Sequence, residues 1–283
     1  LSESNVSAVV ESTRAYYDGP ADEIYRSIWK DNLHLGVPCD DNCAHPEAMV
    51  HTNEIMAQAV DLGEGTRVLD AGCGYGSTAR YLGAKYGCTV VGINISEKEL
   101  ELAKQRTASD ELSHLCSFEW GDFHDLRFDD CSFDVVWSQE AYLHAADKSK
   151  VVKESYRVTK PGGYFIFTDV LVREGTPQAD RDRIYERVKS PDMWDLWNYI
   201  DSLHDHGYDL QRVENWSQHV ARSYGWVRDQ LVENHSELAQ RVDVKELDKV
   251  VDAYNFWVES AIEGKIGWGL FVAQRPIETR FVI

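Results

Sequence analysis

The stretch Val68-Leu69-Asp70-Ala71-Gly72-Cys73-Gly74-Tyr75-Gly76 decides the fold. With Thr66 and Arg67 before it, its first part is a short apolar run ending in a carboxylate, which reads as a buried strand. Three glycines at alternate positions follow, and 77–86 reads as a helix closed by Gly87. A glycine turn between strand and helix lets backbone approach a ligand at the carboxyl end of the strand. The spacing is G-x-G-x-G, whereas a dinucleotide fingerprint needs G-x-G-x-x-G, and position 77 is Ser. Asp70 beside the loop suits a ligand ammonium and repels a pyrophosphate.

Outward from this loop the pattern repeats. Residues 88–93 read as a second strand, with Ser96 as N-cap and Glu99 as its capping-box partner for a helix over 97–108. Strands follow at 116–120 and 133–138, then a helix over 148–159, a turn Lys160-Pro-Gly-Gly163, and a fifth strand at 164–168. Strands alternating with helices predict an α/β fold, a mostly parallel sheet with helices on both faces. Three segments result: an N-terminal helical lid segment over 1–61, a ligand-binding core over 62–172, and cap helices with C-terminal strands over 173–283, one domain with a cap.

The chain has 283 residues and a formal charge of −19. That charge repels phosphate backbones and argues against nucleic-acid partners. No apolar run is long enough to predict a membrane span, and the N-terminus lacks the basic and apolar regions of a secretory leader. Six cysteines without scaffold density read as reduced and cytoplasmic. Cys39, Cys43 and His45 offer three soft ligands in one loop where a structural zinc needs four, so no metal is expected. The acidity has two readings, plain solubility or adaptation to a salty cytoplasm.

The loop resembles motif I of class I S-adenosylmethionine-dependent methyltransferases, which implies a Rossmann-like seven-stranded sheet and S-adenosyl-L-methionine as cofactor. Asp70, with its preference for an ammonium, favours that cofactor over NAD independently. By the resemblance Gly72 and Gly74 lie against the cofactor and Asn94 takes the place of an acidic ribose ligand. Asp122 and Phe123 of Trp120-Gly-Asp-Phe123 hold the adenine, and Ser138 meets the methionine part. A wider likeness covers about residues 10 to 275. Tyr16-Tyr-Asp18, Tyr25, Trp29, His34-Leu-Gly36, Trp137-Ser-Gln-Glu-Ala-Tyr-Leu-His144 and Gly264-Lys-Ile-Gly-Trp-Gly269 resemble the sarcosine/dimethylglycine N-methyltransferases, which make the osmolyte glycine betaine. Trp29 and His34 are then expected beside the cofactor. Two departures stand out: Trp194 and Trp197 replace smaller residues, and His51-Thr52 replaces Arg-Thr.

Methyl transfer is an in-line displacement, so positioning supplies much of the rate, and an amine acceptor must lose a proton and become a cation. Aromatic faces accommodate such a cation, and the chain has 9 Trp and 14 Tyr. Tyr25, Tyr142, Trp194 and Trp197 are the expected substrate-side rings. His144 and Asp169 are placed just past the fourth and fifth strands as a catalytic pair, His144 acting as base or carboxylate ligand. Alternatives remain: S-methylation of a small thioether acid to a sulfonium osmolyte, O-methylation of a hydroxyl compound with His144 as base, or cofactor binding without catalysis. A small-molecule substrate and a monomer or homodimer are expected.

Overall fold

Glycine turns and short continuous apolar runs build one mixed sheet in this computed structural model, which describes residues 3–17, 28–29 and 32–277. Its strands are β1 (Arg67–Ala71), β2 (Thr89–Asn94), β3 (Cys116–Trp120), β4 (Phe133–Gln139), β5 (Thr159–Val172), β6 (Asp209–Asn215) and β7 (Ile266–Gln274). They lie in the order β3-β2-β1-β4-β5-β7-β6. The first five are parallel, and β7 runs antiparallel to both β5 and β6. The strand order reverses between β1 and β4, so a crevice opens beyond their carboxyl ends.

The helices are α1 (Glu3–Tyr17), α2 (His45–Ala57), α3 (Ser77–Tyr86), α4 (Glu97–Ser109), α5 (Lys148–Val158), α6 (Gln178–Val188), α7 (Leu196–Asp205), α8 (Val220–Glu233), the single turn α9 (His235–Leu238) and α10 (Val244–Ile262). Caps fix several of their starts. Ser96 accepts from the Glu99 amide at 3.1 Å, Asp147 from that of Lys150 at 2.9 Å, and Asp195 from that of Asn198 at 2.9 Å. The Glu99 side chain, however, turns away from its expected capping-box role, as described below.

The sheet is buried on both faces, as parallel strands require. Val68, Val90, Val135, Trp137 and Ile166 pack on one side with Trp257 and Trp268, and Leu69, Val136, Phe165 and Phe167 on the other with Tyr142, Tyr199 and Phe271. Alternate residues of each strand thus serve opposite cores.

The expected strands and helices fall within a residue or two of their places, except the fifth strand. Thr159 already pairs with Phe133, and pairing with β7 extends the strand to Val172. Lys160–Gly163 is therefore an irregularity within β5, with Gly162 at φ 81°. Asp169, expected beyond this strand, lies inside it opposite Gly269 and is fully buried. The reduced state expected for all six cysteines is also corrected: Cys39 and Cys43, brought to a Cα separation of 5.5 Å by their turn, form a disulfide. Among the described residues, no helix is long and apolar enough to cross a membrane.

Candidate active site

A cavity of about 890 Å³, counted out to its open mouth, lies over the carboxyl ends of β1, β2 and β4. Gly72 and Gly74 line it with φ of 82° and 49°, backbone that a residue with a Cβ adopts only with strain. A Cβ on Gly72 would stand 2.4 Å from the Ala141 Cβ, so the loop is shaped to run tightly under the turn after β4. Asp70 lies at the floor, and its Oδ2 is buried without a partner. Burial pushes its carboxyl up to about 7. An unmatched carboxylate beside a backbone cradle calls for a cation, and an amino-acid ammonium meets that demand.

Asn94 and Glu99 share the next wall. The Asn94 Oδ1 accepts from the Ile95 and Ser96 amides, and its Nδ2 donates to the Glu99 Oε2 at 2.6 Å. Asn94, expected to face the ribose itself, thereby holds the Glu99 carboxylate at the same wall. Asp122 and Phe123 complete the far wall. The Asp122 Oδ1 accepts from the His124 amide at 2.9 Å and faces its Nδ1 at 2.6 Å. Although burial opposes it, those hydrogen bonds hold the Asp122 carboxyl below its usual range. Val10 and Thr13 of α1, with Leu33 and His34, cover the cavity. Burial lowers His34 to about 4, leaving it neutral.

The rim after β4 differs from expectation. Strand alternation turns Ser138 away from the cavity, and its hydroxyl donates to the Ala71 carbonyl at 2.7 Å. Gln139 enters instead, its Oε1 accepting from Thr78 Oγ1 at 2.8 Å and Trp137 Nε1 at 3.0 Å. Glu140 follows at φ 46°, also lining the cavity. Its Oε1 accepts from Thr168 Oγ1 and Trp268 Nε1, both at 2.6 Å, and its Oε2 from the Leu35 amide at 3.0 Å. The sequence pattern offers Glu99 only as a capping residue and Gln139 and Glu140 only as part of the Trp137–His144 run, with no ligand role for any of the three.

His144 reaches the cavity from the 3-10 turn Tyr142–His144. Burial, helped by the nearby Lys148 ammonium, lowers it to about 3, so its imidazole is neutral and a weak base. Asp169 lies beneath it, outside the lining. Its carboxylate accepts from the Leu143 amide at 3.1 Å and Tyr199 Oη at 2.6 Å, which anchors the turn carrying His144.

The expected aromatic residues are not gathered at the cavity. Tyr142 is 1% exposed and packs on Phe123, Phe165 and Phe167, because the 3-10 turn directs it down onto the sheet. Trp194 lies against Tyr199, and Trp197 is 67% exposed on α7. Trp29 is buried outside the lining, donating to Tyr254 Oη at 3.3 Å and packing edge-on to His45. Tyr25 lies outside the described residues. Another aromatic group forms where α8 and α10 meet: the Arg187 guanidinium of α6 stands 4.0 Å from the Tyr254 ring centre, 4.3 Å from Trp257 and 5.2 Å from Tyr224. The Cys39–Cys43 bond takes both sulfurs out of the one metal-capable group among the described residues, Cys39, Cys43 and Glu47.

A glycine cradle and unmatched carboxylate over a seven-stranded sheet with one antiparallel strand define a class I methyltransferase, and a signature described as "Methyltransferase domain" matches residues 69–167. The chain is 34% identical to the sarcosine/dimethylglycine N-methyltransferase of Halorhodospira halochloris over 93% of its own length and 95% of that protein. It is 33% identical to the glycine/sarcosine/dimethylglycine N-methyltransferase of Actinopolyspora halophila, over 95% of this chain and 48% of that one. A candidate sarcosine dimethylglycine methyltransferase from Galdieria sulphuraria superposes with a TM-score of 0.85 at 26% identity, covering 91% of this chain and 99% of that one. The chain belongs to the sarcosine/dimethylglycine N-methyltransferase family, and its methyl donor is S-adenosylmethionine.

Proposed function

We propose that this chain methylates the nitrogen of sarcosine, dimethylglycine or both, toward glycine betaine. The observation that carries the reading is its likeness, along nearly the whole length of both chains, to the Halorhodospira enzyme of that name. When bound, the donor supplies a methyl carbon made electrophilic by a sulfonium. Asp70 fits the donor's ammonium, Gly72 and Gly74 let the backbone close on its amino-acid part, Glu99 held by Asn94 faces the ribose, and Asp122 with Phe123 faces the adenine. Gln139, locked by Thr78 and Trp137, replaces Ser138 in this set.

The acceptor is an amino acid, so its pocket needs an anion for the ammonium and a cation for the carboxylate. The end of the cavity bounded by Glu140 and His144 supplies the first. Arg187 lies outside the cavity lining, stacked among Tyr224, Tyr254 and Trp257, and this reading assigns it the second role because Tyr224 is close enough to Glu140 to feel its charge. Aromatic faces near a carboxylate also suit a methylated ammonium. His144, neutral, orients the acceptor by hydrogen bonding, and Asp169 holds its turn. In this reading Val10, Thr13, Leu33 and His34 belong to a lid over the donor, and the enzyme works in the cytoplasm of a salt-exposed host.

Purified protein incubated with methyl-labelled S-adenosylmethionine is expected to label dimethylglycine, glycine betaine or both from the two amines. Label in neither product refutes the acceptor and leaves the family assignment standing. Label in a thioether acid alone transfers the reading to a sulfonium product.

A further inference from the structure

An amine acceptor must shed a proton before its nitrogen can attack, and neither expected catalytic residue is suited to receive it. His144 is held neutral with little basicity, and Asp169 does not line the cavity. We propose that Glu140 meets the acceptor ammonium and takes its proton. This rests on the amine reading above.

Three features of the structure support the assignment. Glu140 occupies the left-handed region at φ 46°, and backbone strain in a non-glycine residue clusters at working sites. Its position is over-determined: Thr168 on β5, Trp268 on β7 and the backbone of Leu35 each donate to the carboxylate. A carboxylate has about four lone-pair sites, so three donors leave about one, on Oε2. Glu140 also lines the cavity, together with its neighbours Gln139 and Ala141 and with His144. The three donors keep it an acceptor and fix its direction.

Its electrostatic setting matches the task. Burial, with the Asp169 carboxylate nearby, raises Glu140 to about 7 despite the three donors. The titratable and charged groups around it are Asp169 on β5, Tyr224 on α8, His34 on the covering segment and His144 on the 3-10 turn. Lys148 acts beyond Asp169, and Arg187 beyond Tyr224. Both histidines stay neutral above about pH 4, so Glu140 titrates without a histidine changing charge beside it.

The step balances. One N–H proton passes to the Glu140 carboxylate and its electron pair stays on nitrogen. The new N–C bond forms as the C–S bond breaks, the latter's pair remaining on sulfur, and the positive charge moves to the methylated nitrogen. Glu140 releases the proton to water as product leaves.

The test compares the wild type with Glu140→Gln, using dimethylglycine. A carboxylate base makes the wild-type kcat/KM rise to about pH 7 and then stay flat. The plateau ends where the aliphatic ammonium itself titrates, near about 10. Without the base only free amine reacts, so the variant's kcat/KM rises tenfold per pH unit across that span. A flat variant profile, or a wild-type profile that climbs tenfold per unit throughout, overturns the proposal; the second result is readable even if the variant does not fold. Calorimetry supplies a readout independent of turnover. Glycine betaine binding to protein loaded with S-adenosylhomocysteine is expected to weaken at least tenfold in the variant, with S-adenosylhomocysteine affinity unchanged. Equal betaine affinity in both proteins counts against Glu140. Wild-type silence with both amines overturns the acceptor reading and this assignment together, whereas an active wild type with an unaltered variant profile overturns this assignment alone.

Discussion

Replacing Gly72 by Ala tests whether the donor loop is held by steric fit. The new methyl would stand 2.4 Å from the Ala141 Cβ, with φ at 82°. A Cβ in left-handed backbone costs roughly 1–2 kcal/mol. An extra methyl forced into a packed contact costs about 1–3 kcal/mol. Together the substitution is expected to destabilise the protein by about 2–5 kcal/mol. Ala141 has ordinary backbone, φ −103° and ψ −33°, so Ala141→Gly alone loses only about 0.5–1 kcal/mol. With that Cβ gone, the next atom the Gly72→Ala methyl meets is the Ala141 Cα at 3.9 Å, an ordinary contact. The double variant should therefore recover the packing part, about 1–3 kcal/mol, and keep the backbone part. Urea unfolding of the four proteins gives the cycle, and S-adenosylhomocysteine titration tells whether affinity follows stability. A single variant within about 0.5 kcal/mol of the parent, or strict additivity in the double, refutes the reasoning.

Three further outcomes are expected. His144, lowered to about 3, should contribute no ionisation to kcat between pH 5 and pH 8, and His144→Gln should lower kcat while leaving the shape of the profile unchanged; a limb near the ordinary histidine pKa, lost in the variant, contradicts this and favours a histidine base. Asp70 binds an ammonium only when ionised, so S-adenosylhomocysteine affinity, measured calorimetrically, should fall as pH drops through about 7, and Asp70→Asn should flatten that dependence. The sign for stability is opposite: with its folded pKa above the unfolded 3.8, ionising Asp70 costs the ligand-free protein stability, a cost absent below the unfolded value and complete above about 7. Arg187→Met should raise KM for the amine at least tenfold with unchanged S-adenosylhomocysteine affinity, and steady-state kinetics showing only a kcat loss removes Arg187 as carboxylate anchor.

The core was legible because it rests on local rules. A buried strand, a glycine turn and a helix announce one another within twenty residues, and repetition of that unit dictates a parallel sheet and the end at which ligands bind. Asp70, Gly72, Gly74, Asp122 and Phe123 come to one cavity for that reason. The errors have equally specific causes. Ser138 and Gln139 differ by one step in a period of two, and the strand's facing could not be read from its all-apolar neighbours. The sequence places Asp169 on the rim because the length of β5 depends on β7, about a hundred residues later. The position of Tyr142 after a strand suggests a substrate contact, but a 3-10 turn rotates it onto the sheet. Glu140 was passed over because its donors, Leu35, Thr168 and Trp268, come from three distant segments, and nothing local marks a Glu for positive φ.

Glu140 and Asp169 nevertheless belong with Asp70 to one physical group. Asp70, Glu140 and Asp169 are three carboxylates that burial pushes upward, each at or beneath a strand end. Simple stability selects against such groups, since each is costly to ionise in the empty protein. Their partners differ accordingly. Asp169 is satisfied internally by Tyr199 and Leu143 and serves as scaffold. Glu140 is tied on three sides and keeps one direction open, and Asp70 has an oxygen with no protein partner. In the proposed reading a cationic donor and a cationic acceptor supply what the last two lack, so the cost carried by the ligand-free fold is returned on binding. The formal charge of −19 is summed over the whole chain, whereas the proposed reading gives Asp70 and Glu140 a specific task, to meet two positively charged ligands.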